Sequence, residues 1–169
     1  MADDSATIVL VTGLVTIGGS VAVTMLNHYL QRATDAEKEL RVCIGKAFEY
    51  LNDSIEWSRA SARYSTFINS EVPGKSPLPK LAALIAMEFD NLDADFAAFK
   101  EAVDALHSWA LAEGVRLLEA RKTDPDERPN YTAYKEYFSP VRTQSAALHR
   151  ALTEEARKQK RKRTRLLPG

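Results

Sequence analysis

Between Ala6 and Leu26 the chain (ATIVLVTGLVTIGGSVAVTML) carries no charge, no proline and no amide side chain. At 1.5 Å per residue such a run, as an α-helix, covers roughly 30 Å, the thickness of the bilayer's hydrocarbon core. Asn27, His28, Tyr29, Gln31 and Arg32 follow at once, placing an aromatic ring and a cation where the membrane interface would begin. The pattern predicts a transmembrane helix over residues 6–28. A buried core helix of this length without a charge would be unusual in so small a domain. A cleaved signal peptide would need a basic leading region, whereas this chain starts Met1-Ala2-Asp3-Asp4.

The pattern then changes to steps of three and four. Leu40, Ile44, Ala47, Phe48, Leu51, Ile55, Ala62 and Ile68 recur at the spacing of an amphipathic helix from about Thr34 to Ile68. Thr34-Asp35-Ala36-Glu37 has the form of a capping box, so a bend at the membrane surface and a helix continuous with the span both fit. Asn69 to Pro79 is a turn by composition, with Ser76-Pro77 suited to start a helix. From Pro79 to Arg121 one long helix is expected, buried through Leu81, Leu84, Ile85, Phe89, Leu92, Phe96, Phe99, Val103, Leu106, Trp109, Ala110, Leu117 and Leu118. Gly114 would weaken it by about 1 kcal/mol without ending it. Thr123 to Asn130 reads as a loop and Tyr131 to Phe138 as a short helix. A fresh helix then starts at Ser139-Pro140 and buries Val141, Ser145, Leu148, Leu152 and Ala156.

No stretch alternates as a strand would. The expected fold is all-α: one N-terminal transmembrane helix followed by an antiparallel three-helix, coiled-coil-like cytoplasmic domain. Residues 1–5 form a short extracytoplasmic N-terminus, 29–156 the cytoplasmic domain and 157–169 a basic tail.

Formal charge is zero but segregated, with the basic residues Arg157, Lys158, Lys160, Arg161, Lys162, Arg163 and Arg165 uninterrupted by any acid. No cation precedes the span, while Arg32, Lys38, Arg41 and Lys46 follow it. Cations are retained on the cytoplasmic side, so the N-terminus is expected outside and the helical domain in the cytoplasm, at an inner or plasma membrane. Cys43 is the lone cysteine, which excludes an internal disulfide framework.

Within the span, Thr12, Thr16, Ser20 and Thr24 recur every four residues, with Gly13 and Gly19 on or beside their face. In lipid, close backbone approach and hydroxyl hydrogen bonds are what bring helices together, so this face would support a homo-oligomer. The alternative is that each hydroxyl bonds back to its own helix. A hydroxyl-lined pore is the third option.

Chemistry-bearing patterns are sparse. His28, His107 and His149 are scattered, and Asp104 with His107 is a lone Asp-x-x-His where a di-iron bundle needs paired Glu-x-x-His. No metal or cofactor is expected. Glu88, Asp90, Asp93 and Asp95 interleave with Phe89, Leu92 and Phe96, as on a solvated helix face. The serines lack a nucleophile elbow and the glycines form no phosphate-binding loop, so no catalytic residue is assigned and no enzyme is expected. Tyr131, Tyr134, Tyr137 and Phe138, with Lys135 among them, read as packing at the bundle end rather than a partner hot spot.

The basic tail asks for a partner: anionic lipid, nucleic acid or an acidic protein surface. In an up-down-up bundle of three helices the last one climbs away from the membrane, roughly 25 Å from Pro140 to Arg157, beyond a Debye length of about 8 Å. That geometry favours a cytoplasmic anionic partner, nucleic acid or acidic protein. The expected function is a membrane-anchored, non-enzymatic interaction or scaffold module that holds a cytoplasmic partner at the bilayer. The alternative is a membrane-active effector whose spans oligomerise into a pore or lesion under control of the cytoplasmic domain.

Overall fold

The structure, a computed structural model, describes the backbone of residues 3–66, 71–89 and 91–164 and, apart from residues 3–22, 26 and 162–164, their side chains. Among the described residues the regular elements are four α-helices: α1 (Asp3–Thr66), α2 (Leu78–Glu88), α3 (Asp93–Ala120) and α4 (Tyr131–Thr164). The chain divides into two compact units, Met1–Arg41 and Val42–Gly169. Among the described residues no helix is long and apolar enough to cross a membrane. The expected span falls outside the residues with described side chains, except for Val23, Thr24, Met25, Asn27 and His28, which are exposed.

In the first unit α1 passes straight through the capping-box sequence. Thr34 Oγ1 donates to the Leu30 carbonyl at 2.8 Å, the back-bond of a residue inside a helix rather than the forward bond of an N-cap. Exposed pairs one turn apart, Arg41 with Glu37 at 2.6 Å and Lys38 with Asp35 at 3.4 Å, decorate the same stretch.

The second unit corrects the expected three-helix arrangement, because the helix predicted from Pro79 to Arg121 is two helices. Phe89 leaves helical geometry (φ −140°, ψ 58°) while its N–H still donates to the Ile85 carbonyl. Leu92 N–H then donates to the Phe89 carbonyl, and Phe96 N–H to the Leu92 carbonyl, which starts α3. Phe89 and Leu92 are both buried, so the turn is held by its apolar residues. Asp93 and Asp95 supply negative charge to the first turn of α3, where the helix dipole favours it.

Contacts with residues 42–66 of α1 fix the directions. Trp57 Nε1 donates to the Gly74 carbonyl at 2.8 Å, and Lys80 lies over the Tyr50 ring at 5.7 Å, so α2 runs antiparallel to this part of α1. His107 meets Ser61, and Gly114 backs onto Ser65, so α3 runs parallel to it. His149 meets Phe48, and Phe138 meets Arg59, so α4 runs antiparallel again. The unit is thus an up-down-up-down bundle, and the end of α4 returns to the end from which α1 enters.

One core cluster joins all four helices, through Ala47 and Leu51, Leu81 and Ile85, Phe99 and Leu106, and Val141 and Leu148 among others. The inward face of α1 is lined by small residues, with Ser54, Ser58 and Ser61 buried beside Ala47 and Ala62. Ser54 and Ser58 satisfy their hydroxyls on the carbonyls of Tyr50 and Ser54, both at 2.6 Å, so their burial leaves no donor unpaired. Leu118, expected inside, is 60% exposed.

The last helix is likewise longer than predicted. α4 starts at Tyr131 and contains Pro140 instead of starting there. Asn130 is its true cap: Asn130 Oδ1 accepts from Ala133 N–H at 3.0 Å, and the Asn130 carbonyl accepts from Tyr134 N–H. Pro140 has no N–H to donate to the Glu136 carbonyl, and both residues are exposed.

Candidate functional site

The densest run of cations in the second unit lies at the end of α4. The basic segment is a continuation of α4, helical as far as Thr164. Arg157, Lys158, Lys160 and Arg161 are exposed, while the side chains of Lys162 and Arg163, and Arg165 as a whole, lie outside the described residues. Just before them Glu155 is buried, 3.8 Å from Lys158 Nζ and accepting from Gln159 Nε2 at 3.4 Å. Cations in the last turns of a helix also suit its dipole.

Of the sequence-predicted self-association face, Thr24 is exposed. Thr12, Gly13, Thr16, Gly19 and Ser20 lie outside the residues whose side chains are described.

The aromatic stretch splits into an inner and an outer half. Phe138 is buried and stacks on Tyr134 with ring centroids 5.6 Å apart, as the packing reading requires. Burial raises the Tyr134 hydroxyl above its usual pKa, against the opposing pull of Arg63 and Arg59. Tyr137 stacks on Trp109 at 5.7 Å and Tyr131 on Tyr134 at 5.8 Å, yet both remain largely exposed. Lys135 lies 5.0 Å from the Tyr131 ring centroid. On α3, Leu111, Val115 and Leu118 are 62%, 58% and 60% exposed at four- and three-residue steps, an apolar strip on one helix face.

Ser61 and His107 share a hydrogen bond between Oγ and Nε2, with the Trp57 ring packed 4.8 Å from the imidazole. Burial lowers the His107 pKa, and the Asp104 charge opposes this. Asp104 itself is paired with Lys100 at 2.6 Å. His149 is exposed against Phe48, and His28 is exposed in the first unit. Among the described residues no group of three or more His, Cys, Asp or Glu side chains is placed to hold a metal ion. Of the acidic cluster, Glu88 closes α2 and Asp93 and Asp95 open α3, which accounts for them at a helix reversal; Asp90 lies outside the described residues.

Sequence reasoning missed the buried Glu113, whose carboxylate organises the α3–α4 connection. Arg116 forks onto both of its oxygens at 2.9 Å, and Asn130 N–H donates to Oε1 at 2.8 Å. Arg116 also reaches Glu127 at 2.9 Å and the Arg128 carbonyl at 3.3 Å. The Arg116 hydrogen bonds hold the Glu113 pKa below the usual carboxylate value. The Glu-x-x-Arg spacing was the available signal, but it is common on any helix. Its role here is to cap and fasten a loop.

Family models, curated proteins and solved structures were all compared with the chain, and none matches it.

Proposed function

We propose that the protein is a membrane-anchored helical interaction module: residues 6–28 span the bilayer once, and the bundle holds a partner on the cytoplasmic side. The observation that carries the reading is the uncharged run from Ala6 to Leu26, with cations only after it. The exposed strip Leu111, Val115 and Leu118, and the outer tyrosines Tyr131 and Tyr137, give the bundle apolar surface of the kind partners bury. A scaffold is favoured over a pore because no ionisable residue lies within the run to mark an ion path. Self-association through Thr12, Gly13, Thr16, Gly19, Ser20 and Thr24 is part of this proposal.

Topology is tested with reporters fused to the C-terminus. A reporter active only in the cytoplasm is expected to work there. Its silence, with signal from one active only outside, overturns the assignment. For association, Thr16→Leu with Ser20→Leu is expected to weaken oligomers in a membrane assay, whereas Leu14→Ile with Val21→Leu leaves them intact. Equal effects of the two pairs would remove any special role of the hydroxyl face.

A further inference from the structure

The register of α4 against α1 decides where the basic segment points. Phe48 packs against His149 with ring centroids 4.6 Å apart, and the Arg59 guanidinium lies 5.3 Å from the Phe138 ring. From Phe48 to Arg59 is eleven residues forward, and from His149 to Phe138 is eleven residues back. In antiparallel helices of equal rise this register brings Glu155 level with Val42. Residues beyond Glu155 therefore overhang the second unit at the end where the chain enters it, by roughly 13 Å of helix up to Thr164. Val42 lies sixteen helical steps after Leu26, the last of the Ala6–Leu26 run. As helix they cover about 24 Å, which bounds the distance from that run to this same end whatever the arrangement of the two units.

We infer that Arg157, Lys158, Lys160 and Arg161, continued by Lys162, Arg163 and Arg165, bind the anionic headgroups of the membrane that carries the chain. The inference rests on the anchored reading above. With three helices the cations would stand at the far end of the bundle. The reversal at Phe89–Leu92 adds a pass and brings them back to the end at which the chain enters the second unit. Tethering then holds the headgroups near the cations at high effective concentration, an advantage that no diffusing nucleic acid or protein shares. From Arg157 to Arg165 there is no apolar side chain to insert among lipid tails. Attraction through these residues is thus electrostatic and salt-sensitive, with each engaged cation tightening it about fivefold.

The test uses the full chain in vesicles of phosphatidylcholine, alone or mixed with phosphatidylglycerol. In a Cys43→Ala background, a fluorescent donor is attached at Gln159→Cys or, at the opposite end of the bundle, at Thr123→Cys, with an acceptor on the headgroups. The Gln159→Cys donor is expected to transfer more in the phosphatidylglycerol vesicles. This excess should fall as salt rises and disappear when Arg157, Lys158, Lys160 and Arg161 are replaced by Gln. The Thr123→Cys donor should show no such dependence. Equal transfer in both vesicle types, with the chain inserted in both, overturns the inference and leaves the anchor standing. A chain that inserts in neither overturns the anchor and the inference together. Displacement of the Gln159→Cys donor from phosphatidylglycerol vesicles by a DNA duplex at physiological salt would reassign the cations to nucleic acid.

Discussion

The Glu113 carboxylate on α3 accepts a 2.8 Å hydrogen bond from the backbone N–H of Asn130, the residue that caps α4. One buried side chain therefore joins the end of one helix to the start of the next, and Arg116 holds it in the ionised form. Glu113→Gln is expected to destabilise the bundle by about 1–2 kcal/mol, the lower part of the charged hydrogen-bond range because the Arg116 partner is half-exposed. The sign of the pH effect follows from the lowered pKa. The contribution is present above the carboxylate's ordinary value of 4.5 and is lost as pH falls through the folded-state pKa. Urea unfolding of the native chain should lose stability in that acid window, and Glu113→Gln should lose less of it. Identical acid profiles would contradict this.

Gly114 and Gly45 are both helical glycines with opposite expected behaviour. A Cβ on Gly114 would collide with the backbone carbonyl of Ser65, whereas a Cβ on Gly45 would meet nothing within 4 Å. Gly45→Ala should stabilise by up to about 1 kcal/mol through helix propensity. Gly114→Ala should instead destabilise by about 1–3 kcal/mol, because two helix backbones must move apart. Melting temperatures of the two variants decide it, and stabilisation by both would mean that the approach of α1 and α3 is looser than described.

Pro140 lies inside α4 without a packing duty of its own, being exposed. Pro140→Ala restores the missing N–H to the Glu136 carbonyl, so a gain of about 1–3 kcal/mol is expected by denaturant unfolding. A loss would show that the proline limits the unfolded chain more than it weakens the helix.

His107 should titrate lower than a free imidazole, because burial disfavours its charged form. Its pKa is lowered on folding, so the stability it contributes is complete above 6.5 and is lost as pH falls through the folded-state value. NMR titration of the three imidazoles reads this directly. Ser61→Ala removes the hydroxyl that meets Nε2, and it should shift the His107 resonance while leaving that of His28 in place. A His107 that titrates at or above 6.5 would contradict its burial.

Periodicity alone determined that the chain after the uncharged run is helical and which faces are apolar. Leu51, Leu81, Ile85, Phe99, Leu106, Val141, Leu148 and Leu152 are buried as their spacing requires, because a three- and four-residue repeat has one way to cover itself. What it could not determine is where a helix stops for tertiary reasons. No glycine or proline marks Phe89–Leu92, and the repeat runs through it unbroken. The reversal exists because Phe89 and Leu92 gain more from burial in a four-helix core than the helix loses in hydrogen bonds there. Conversely, Pro140 looked like a boundary and the Thr34 capping box left one open, and both are interior, since a long helix can absorb one lost bond or one unused cap. The content of the basic segment was legible from composition. The end of the bundle from which it projects was decided by that one reversal, because each added pass of an antiparallel bundle moves the chain's exit to the other end.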